Sequence, residues 1–347
     1  MRLGSEDMLE TAFTRLVGCT VPIQLAGMGS ILSPELAAAV SNAGALGQIT
    51  FAGIELEDAR RRLNRLSQLT SNPFGVNVLI PYLDMEIVEL AATRARVIDF
   101  FWGDPDRGLV SFVHEAGALA SWQVGSTAEA IAAQRAGCDF IIAQGFEAGG
   151  HIRGTLGLLP LLSSVLDEIS VPVLAAGGIG SGRSIAGLLS MGAAGVRMGT
   201  RFIAAEESNA HPDYVKAVIA ARAEDSVRTN RFHVECALCP STHGVLRQAL
   251  EAADAFEGEY VAEIELDGER TRIARFRGTP PFNGFHGHIE AMACYAGQSV
   301  GEVKSVQPAA EIVAQLVDEA ETLLGRPPTN SAQEVRPELH EPFLPED

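Results

Sequence analysis

With 347 residues, 47% of them hydrophobic and 20% charged, the chain can bury one large core or two ordinary ones. Its 26 Lys and Arg stand against 44 Asp and Glu, a net charge of −18, which argues against a sizeable nucleic-acid footprint or an anionic membrane surface as partner. No apolar window reaches the length of a membrane span, and five cysteines, few and odd in number, fit reduced thiols better than a disulfide framework.

The first residues carry Glu6, Asp7 and Glu10 where an export signal would be basic and then apolar, so a cytoplasmic protein without leader or anchor is expected. Residues 8–17 have helical spacing and stop at Gly18. From Val21 a unit repeats: short apolar strand, Gly or Ser/Asp turn, amphipathic helix. The predicted strands are Val21–Ala26, Leu46–Thr50, Phe74–Leu79, Val97–Trp102, Ala118–Val124, Phe140–Gln144, Val171–Ala176 and Gly195–Met198. Ser33-Pro34-Glu35 opens the first intervening helix with a capping Ser and a first-turn Pro, and further helices are expected at Glu55–Leu69, Asp84–Thr93 and Ser184–Met191. Eight strands with intervening helices predict an α/β fold, a closed (β/α)8 TIM barrel. An open doubly wound sheet would need an acidic residue after the strand that follows Gly178-Ile179-Gly180-Ser181-Gly182, and none stands there.

Past Phe202 the pattern loosens. Residues 1–224 and 286–325 are assigned to the barrel, 225–285 to an insertion over its mouth, and 326–347 to an extended, Pro- and Glu-rich tail. Within the insertion, Tyr260–Leu266 and Arg270–Phe276 flank Asp267-Gly268 and predict a hairpin.

Barrels of this kind place ligands at the C-terminal ends of their strands. Those ends carry Ala26-Gly27-Met28-Gly29, Asn77, Gln123, Gln144, Gly149-Gly150-His151, Gly177-Gly178 and Gly199-Thr200-Arg201. The glycines after the seventh and eighth strands, with the helix at Ser184–Met191, predict a phosphate site built from backbone N–H groups. His151 follows two glycines at a strand end, which delivers a histidine to a ligand on a backbone that can approach closely.

Five motifs in order, Pro22-Ile23-Gln24-Leu25-Ala26-Gly27-Met28, Phe74-Gly75-Val76-Asn77, Glu147-Ala148-Gly149-Gly150-His151, Ala175-Ala176-Gly177-Gly178-Ile179 and Met198-Gly199-Thr200-Arg201-Phe202, resemble the nitronate monooxygenase family, formerly called 2-nitropropane dioxygenases. The FMN-dependent enoyl-ACP reductases share these motifs, and the stretch from Glu206 to Pro212 resembles both groups. The resemblance implies non-covalent FMN, with Ala26, Gly27 and Met28 beside the isoalloxazine and Asn77 in hydrogen-bond reach of the ring. It implies Gly149 and Gly150 at the flavin edge, Gln144 near the flavin, and Gly177, Gly178, Gly199 and Thr200 around the phosphate, with Arg201 as a further candidate there. His151 would face a small-molecule substrate as anion-stabilising donor or base. Gln123 is a cofactor-binding candidate that departs from a Lys found in some members. The implied reaction oxidises alkyl nitronates, and nitroalkanes as a further class, with O2 to a carbonyl compound and nitrite. NAD(P)H-dependent reduction of enoyl thioesters or quinones, and flavin binding without turnover, stand as alternatives. The sequence leaves homo-oligomerisation open.

His233, Cys236, Cys239 and His243 form H-x2-C-x2-C-x3-H, the residue types of a closed zinc site. Ligands so crowded need a very tight loop and the resemblance calls for no metal, so reduced thiols without a metal are expected. His286 and His288 are expected at the surface or as caps. Phe100-Phe101-Trp102 should be core and pocket wall, and Arg60-Arg61-Arg62 the solvated face of a helix.

Overall fold

A computed structural model describes residues 9–325 except Asp267. The predicted tail at 326–347 lies outside the described residues, as do the start of the first predicted helix and one residue of the predicted Asp-Gly turn. Among the described residues fourteen strands follow in chain order. They are β1 (Ile23–Leu25), β2 (Gly47–Phe51), β3 (Phe74–Leu79), β4 (Val97–Phe101), β5 (Leu119–Val124), β6 (Phe140–Gln144) and β7 (Gly150–Ile152). Then come β8 (Val173–Ala176), β9 (Gly195–Met198), β10 (Ser226–Thr229), β11 (Thr242–Leu246), β12 (Tyr260–Leu266), β13 (Glu269–Ala274) and β14 (His286–Gly287). The helices are α1 (Ala12–Val17), α2 (Pro34–Asn42), α3 (Leu56–Leu69), α4 (Met85–Ala92), α5 (Arg107–Glu115) and α6 (Thr127–Ala136). They continue with α7 (Leu158–Glu168), α8 (Gly182–Ser190), α9 (Pro212–Ala220), α10 (Arg247–Ala255) and α11 (Ala309–Leu324).

Eight parallel strands run in the order β1-β9-β8-β6-β5-β4-β3-β2. Leu46 N–H donates to Ile23 O at 2.8 Å and Leu25 N–H to Leu46 O at 2.9 Å, which joins β1 to the segment entering β2 and closes the ring. The predicted (β/α)8 barrel is therefore the observed fold. Its helices start where the turns supply a cap: the side chains of Ser33, Asp84, Asp106, Ser126 and Ser181 each accept an amide from the first turn that follows. On α3 the buried positions Ala59, Leu63 and Leu66 recur at helical spacing, while Arg60 and Arg61 pair with Glu57 and Asp58 on the outer face.

Period-two alternation sorts the strands into two layers. Outward residues such as Val76, Ile98, Trp122, Ile141 and Val196 pack under the helices in the main core. Inward residues at the N-terminal end, among them Val97, Phe140, Ile142 and Leu174, pack against Phe13 and Val17 of α1, with Phe13 edge-on to Phe140 at 5.2 Å. Helix α1 thereby plugs that end, although it is shorter than the predicted 8–17. Above this plug the inward layer turns polar: Gln24, Gln48, Asp99, Ser121 and Arg197 are all buried.

The chain then departs from simple repetition. After β6 it makes β7, which lies outside the barrel and pairs antiparallel with β11, itself paired with β10. A second sheet, β13-β12-β14, carries the expected hairpin, with Leu266 opposite Glu269 and Gly268 at φ +80°. These sheets and α10 share a separate apolar cluster around Phe232, Val245, Ile264 and Phe285. Helix α11 returns to the barrel and packs between α8 and α2. No helix among the described residues is long and apolar enough to cross a membrane.

Candidate active site

One cavity of about 400 Å³ opens at the C-terminal end of the barrel, within the range of roughly 300–1,000 Å³ usual for small-molecule and cofactor sites. Ala26, Gly27 and Met28 after β1, Asn77 on β3, Gln123 on β5 and Gln144 on β6 all border it. So do Gly149, Gly150 and His151, then Gly177 and Gly178 after β8, and Gly199 and Thr200 after β9. Residues separated by up to 174 positions thus converge on one space because each sits where its barrel strand ends.

The floor is the polar layer. Arg197 Nη1 approaches Asp99 Oδ2 at 2.6 Å, with side chains 3% and 0% exposed. Asn77 Nδ2 donates to Asp99 Oδ2 at 2.8 Å, Ser121 Oγ to Asp99 Oδ1 at 3.2 Å, and Thr50 Oγ1 to Asn77 Oδ1 at 3.3 Å. Burial pushes the Asp99 carboxyl upward, and Arg197, Asn77 and Ser121 pull against it. Arg197 itself borders the cavity. Neither member of this pair was singled out from sequence, although a lone charged residue in each of the apolar runs Val97–Phe101 and Gly195–Met198 was the available signal.

One end of the cavity is backbone. Among the described residues, the amides of Gly177, Gly178, Gly199 and Thr200 donate to no protein acceptor. Gly177 and Gly178 hold φ of +101° and +71°, conformations open to glycine at little steric cost, and a Cβ on Gly178 would stand 3.0 Å from Glu147 Cβ. Unpaired amides from two adjacent strand ends form a seat for an anion such as a phosphate. Two predicted contributors are turned elsewhere. Helix α8 starts at Gly182, two residues before the expected Ser184, and its first amide donates to Glu319 Oε2 of α11 at 2.8 Å, so a carboxylate already meets that terminus. Arg201 is buried, donates from Nη2 to Gln307 Oε1 at 2.9 Å, and does not border the cavity.

The two glutamines differ. Gln123 is 6% exposed and its side chain makes no protein hydrogen bond among the described residues, which leaves its carboxamide for an occupant of the cavity. Gln144 is committed: Nε2 donates to His151 O at 3.0 Å, and Oε1 accepts from Arg153 N at 3.1 Å. It braces β7 against the barrel.

His151 borders the cavity but does not stand free. Its Nε2 lies 3.2 Å from Cys236 Sγ, and its ring centroid is 4.4 Å from that of His243, 5.6 Å from Tyr295 and 5.8 Å from Trp102. Burial, and then His243, push its pKa down to about 3, and burial takes His243 down to about 4. His233, by contrast, is exposed and turned to Asn230 O at 3.1 Å. His286 and His288 are exposed. Phe100 is core and Phe101 borders the cavity, while Trp102, at φ +68°, packs edge-on to Phe101 and His151.

The lid of the cavity comes from the segment after β10: Glu235, Cys236 and Leu238, with Arg277 to Pro280 and Tyr295. Arg277 pairs with Glu235 at 2.9 Å, and Tyr295 Oη donates to Gly278 O at 3.1 Å. Of these only Cys236 stood out in the sequence, through its His/Cys motif; the others lie in irregular segments that periodicity does not mark.

Known proteins agree with this architecture. The chain matches the family described as nitronate monooxygenase over residues 10–88 and 82–319. A probable nitronate monooxygenase of Staphylococcus aureus is 28% identical, over 90% of this chain and 97% of the relative. Among solved structures, FabK from Thermotoga maritima superposes with a TM-score of 0.73 at 29% identity, over 91% of this chain and 97% of its own. A nitroalkane oxidase from Streptomyces ansochromogenes gives 0.68 at 27% identity, over 90% and 98%.

Proposed function

Because the chain belongs to the nitronate monooxygenase family and is an oxidoreductase, we propose that it oxidises alkyl nitronates with O2 to a carbonyl compound and nitrite, using FMN held in the strand-end cavity. The observation that carries the cofactor assignment is the set of unpaired amides at Gly177, Gly178, Gly199 and Thr200, facing a cavity of cofactor size. These amides fit a phosphate, the apolar and glycine backbone at Ala26–Met28 and Gly149–Gly150 fits the face and edge of a flat ring, and Gln123 offers it a free amide.

Bound flavin would supply the electron acceptor that the amino acids lack. The protein's share is positioning. Asn77 is fixed by Thr50 and Asp99, so its carboxamide presents one orientation to the cavity. Arg197 places a buried positive charge at the floor, where electron density arriving on the ring would be stabilised. A nitronate already carries carbanion character, so His151 can border the substrate as a neutral wall without first removing a proton. The lid residues Leu238 and Tyr295, with Phe101, supply an apolar enclosure for a short alkyl chain. Neutral nitroalkanes, which need a base, are expected to be poorer substrates.

The likeness to FabK supports a second reading, reduction of an enoyl thioester or quinone by NAD(P)H. Anaerobic mixing separates the readings. Propionate 3-nitronate or an alkyl nitronate should bleach the flavin absorbance, whereas NADPH should leave it nearly unchanged. Rapid bleaching by NADPH with inert nitronates would establish the reductase instead, and bleaching by neither would leave a flavin-binding protein without turnover.

A further inference from the structure

Three separate pieces of chain bring metal-ligating side chains to one point beside the cavity. His151 stands on β7, Cys236 and Cys239 on the loop after β10, and His243 on β11. One ligand atom from each lies within 4.8 Å of every other. His151 Nε2 lies 3.2 Å from Cys236 Sγ, and His243 Nε2 lies 3.6 Å from Cys239 Sγ. A tetrahedral ion with Zn–S of about 2.3 Å and Zn–N of about 2.0–2.1 Å sets its donors roughly 3.3–3.8 Å apart. The cluster is therefore near the size that such an ion requires.

The local structure accounts for this convergence. The β7–β11 ladder places His151 directly opposite His243, so two imidazoles share one face of the sheet. Cys236 and Cys239 stand either side of a tight turn in which Cys239 N donates to Cys236 O at 3.2 Å, bringing two thiols spaced as Cys-x2-Cys to the same side. The sequence grouped His233 with these residues, and the structure replaces it by His151, 85 positions before Cys236. That replacement removes the crowding objection, because only three of the four donors come from the loop and the strand after it.

We propose that His151, Cys236, Cys239 and His243 bind one divalent zinc-class ion in a closed His2Cys2 site. Binding displaces the two thiol protons to solvent, and two thiolates balance the charge of the ion. With four protein ligands the site is structural. It clasps the segment carrying Glu235, Cys236 and Leu238 to the strand that follows β6, and so fixes the lid of the cavity. His151 then holds the lid while its ring borders the substrate space.

The test does not depend on the flavin or on turnover. Full-length protein stripped with a strong chelator and titrated with Zn2+ against a chromophoric competitor should take up about one equivalent per chain. The same stoichiometry with Co2+ should give the intense visible bands of tetrahedral cobalt and a near-ultraviolet thiolate charge-transfer band. Zinc should shield Cys236 and Cys239 from a thiol reagent, and chelation should unmask them. Cys239→Ser and His243→Ala should lower zinc retention at least tenfold, while His233→Ala should leave it unchanged. Cobalt binding by the unmutated protein keeps the proposal testable where a variant misfolds. Absence of one-to-one binding, octahedral cobalt bands, equal loss in His233→Ala, or a Cys236–Cys239 disulfide in protein that takes up no metal would each overturn it.

Discussion

Arg197 Nη1 lies 2.6 Å from Asp99 Oδ2 inside the closed barrel, directly below the cavity that Arg197 borders. The approach is electrostatic more than directional, for Nη1 and Nε make no well-aligned hydrogen bond. Removing one partner of such a buried pair typically costs about 3–5 kcal/mol, because the other charge stays behind uncompensated. Asp99→Asn should therefore lower the urea midpoint strongly with an unchanged slope. Replacing both residues by apolar ones of similar volume, as in Asp99→Leu with Arg197→Met, should recover much of that stability. The double variant should nevertheless retain flavin poorly. Normal retention would show that the pair is a packing device with no part in the site.

Gly27 tests the same floor from above. A Cβ there would stand 2.3 Å from Asn77 Oδ1 and 3.1 Å from Thr50 Oγ1. Gly27→Ala must push Asn77 off Asp99, an overpacking cost of about 1–3 kcal/mol, and should weaken flavin retention in equilibrium dialysis. Gly187→Ala is the control: it lies within α8 with nothing near its would-be Cβ, and should stabilise by about 0.5–1 kcal/mol. Equal effects from the two substitutions would refute the steric argument.

The barrel was legible because its signals are local. Every barrel strand is an apolar run bounded by a turn, and caps such as Ser33 and Ser181 announce the helix starts. The cavity's glycines were legible for the same reason, since a barrel strand end fixes where its successor residues go. What escaped was long-range. Strand β7 takes its partner from β11, some ninety residues later, and nothing in Gly150–Ile152 alone marks a strand. Gln144 borders the cavity as expected, but its carboxamide is also held by the His151 carbonyl and the Arg153 amide, partners at and just after β7 that periodicity did not reveal. The helix terminus at Gly182 was read as an anion seat because the carboxylate of Glu319 that meets it lies on α11.

The buried thiols give a prediction for pH. Burial raises Cys19 and Cys138 to about 12 each, against an unfolded value of about 8.5. The unfolded chain loses these protons first as pH rises. Their contribution to stability is thus complete below about pH 8.5 and declines through the window up to the folded values near 12. Alkylation proceeds through the thiolate, so native protein should leave Cys19 and Cys138 unlabelled from about pH 7 to about pH 9, while protein in denaturant labels both. Peptide mapping after iodoacetamide reads this directly, and labelling of either residue in the folded protein at mildly alkaline pH would contradict it.

Gln144 joins barrel to lid, and a single atom change isolates that role. Its Nε2 donates to His151 O at 3.0 Å, and its Oε1 accepts from Arg153 N at 3.1 Å. Gln144→Glu keeps an acceptor for Arg153 N but turns a second oxygen toward the His151 carbonyl, in a side chain only 5% exposed in the parent. One satisfied acceptor is left and one repulsive contact is created, a loss of about 1–3 kcal/mol. The strain falls on β7, which among the described residues has β11 as its one ladder partner. Amide hydrogen exchange should therefore quicken at residues 150–152 and 242–244, while β4 and β5, paired on both sides within the barrel, keep their protection. Uniform acceleration across all strands would mean that Gln144 supports the barrel as a whole instead of the one strand that carries His151.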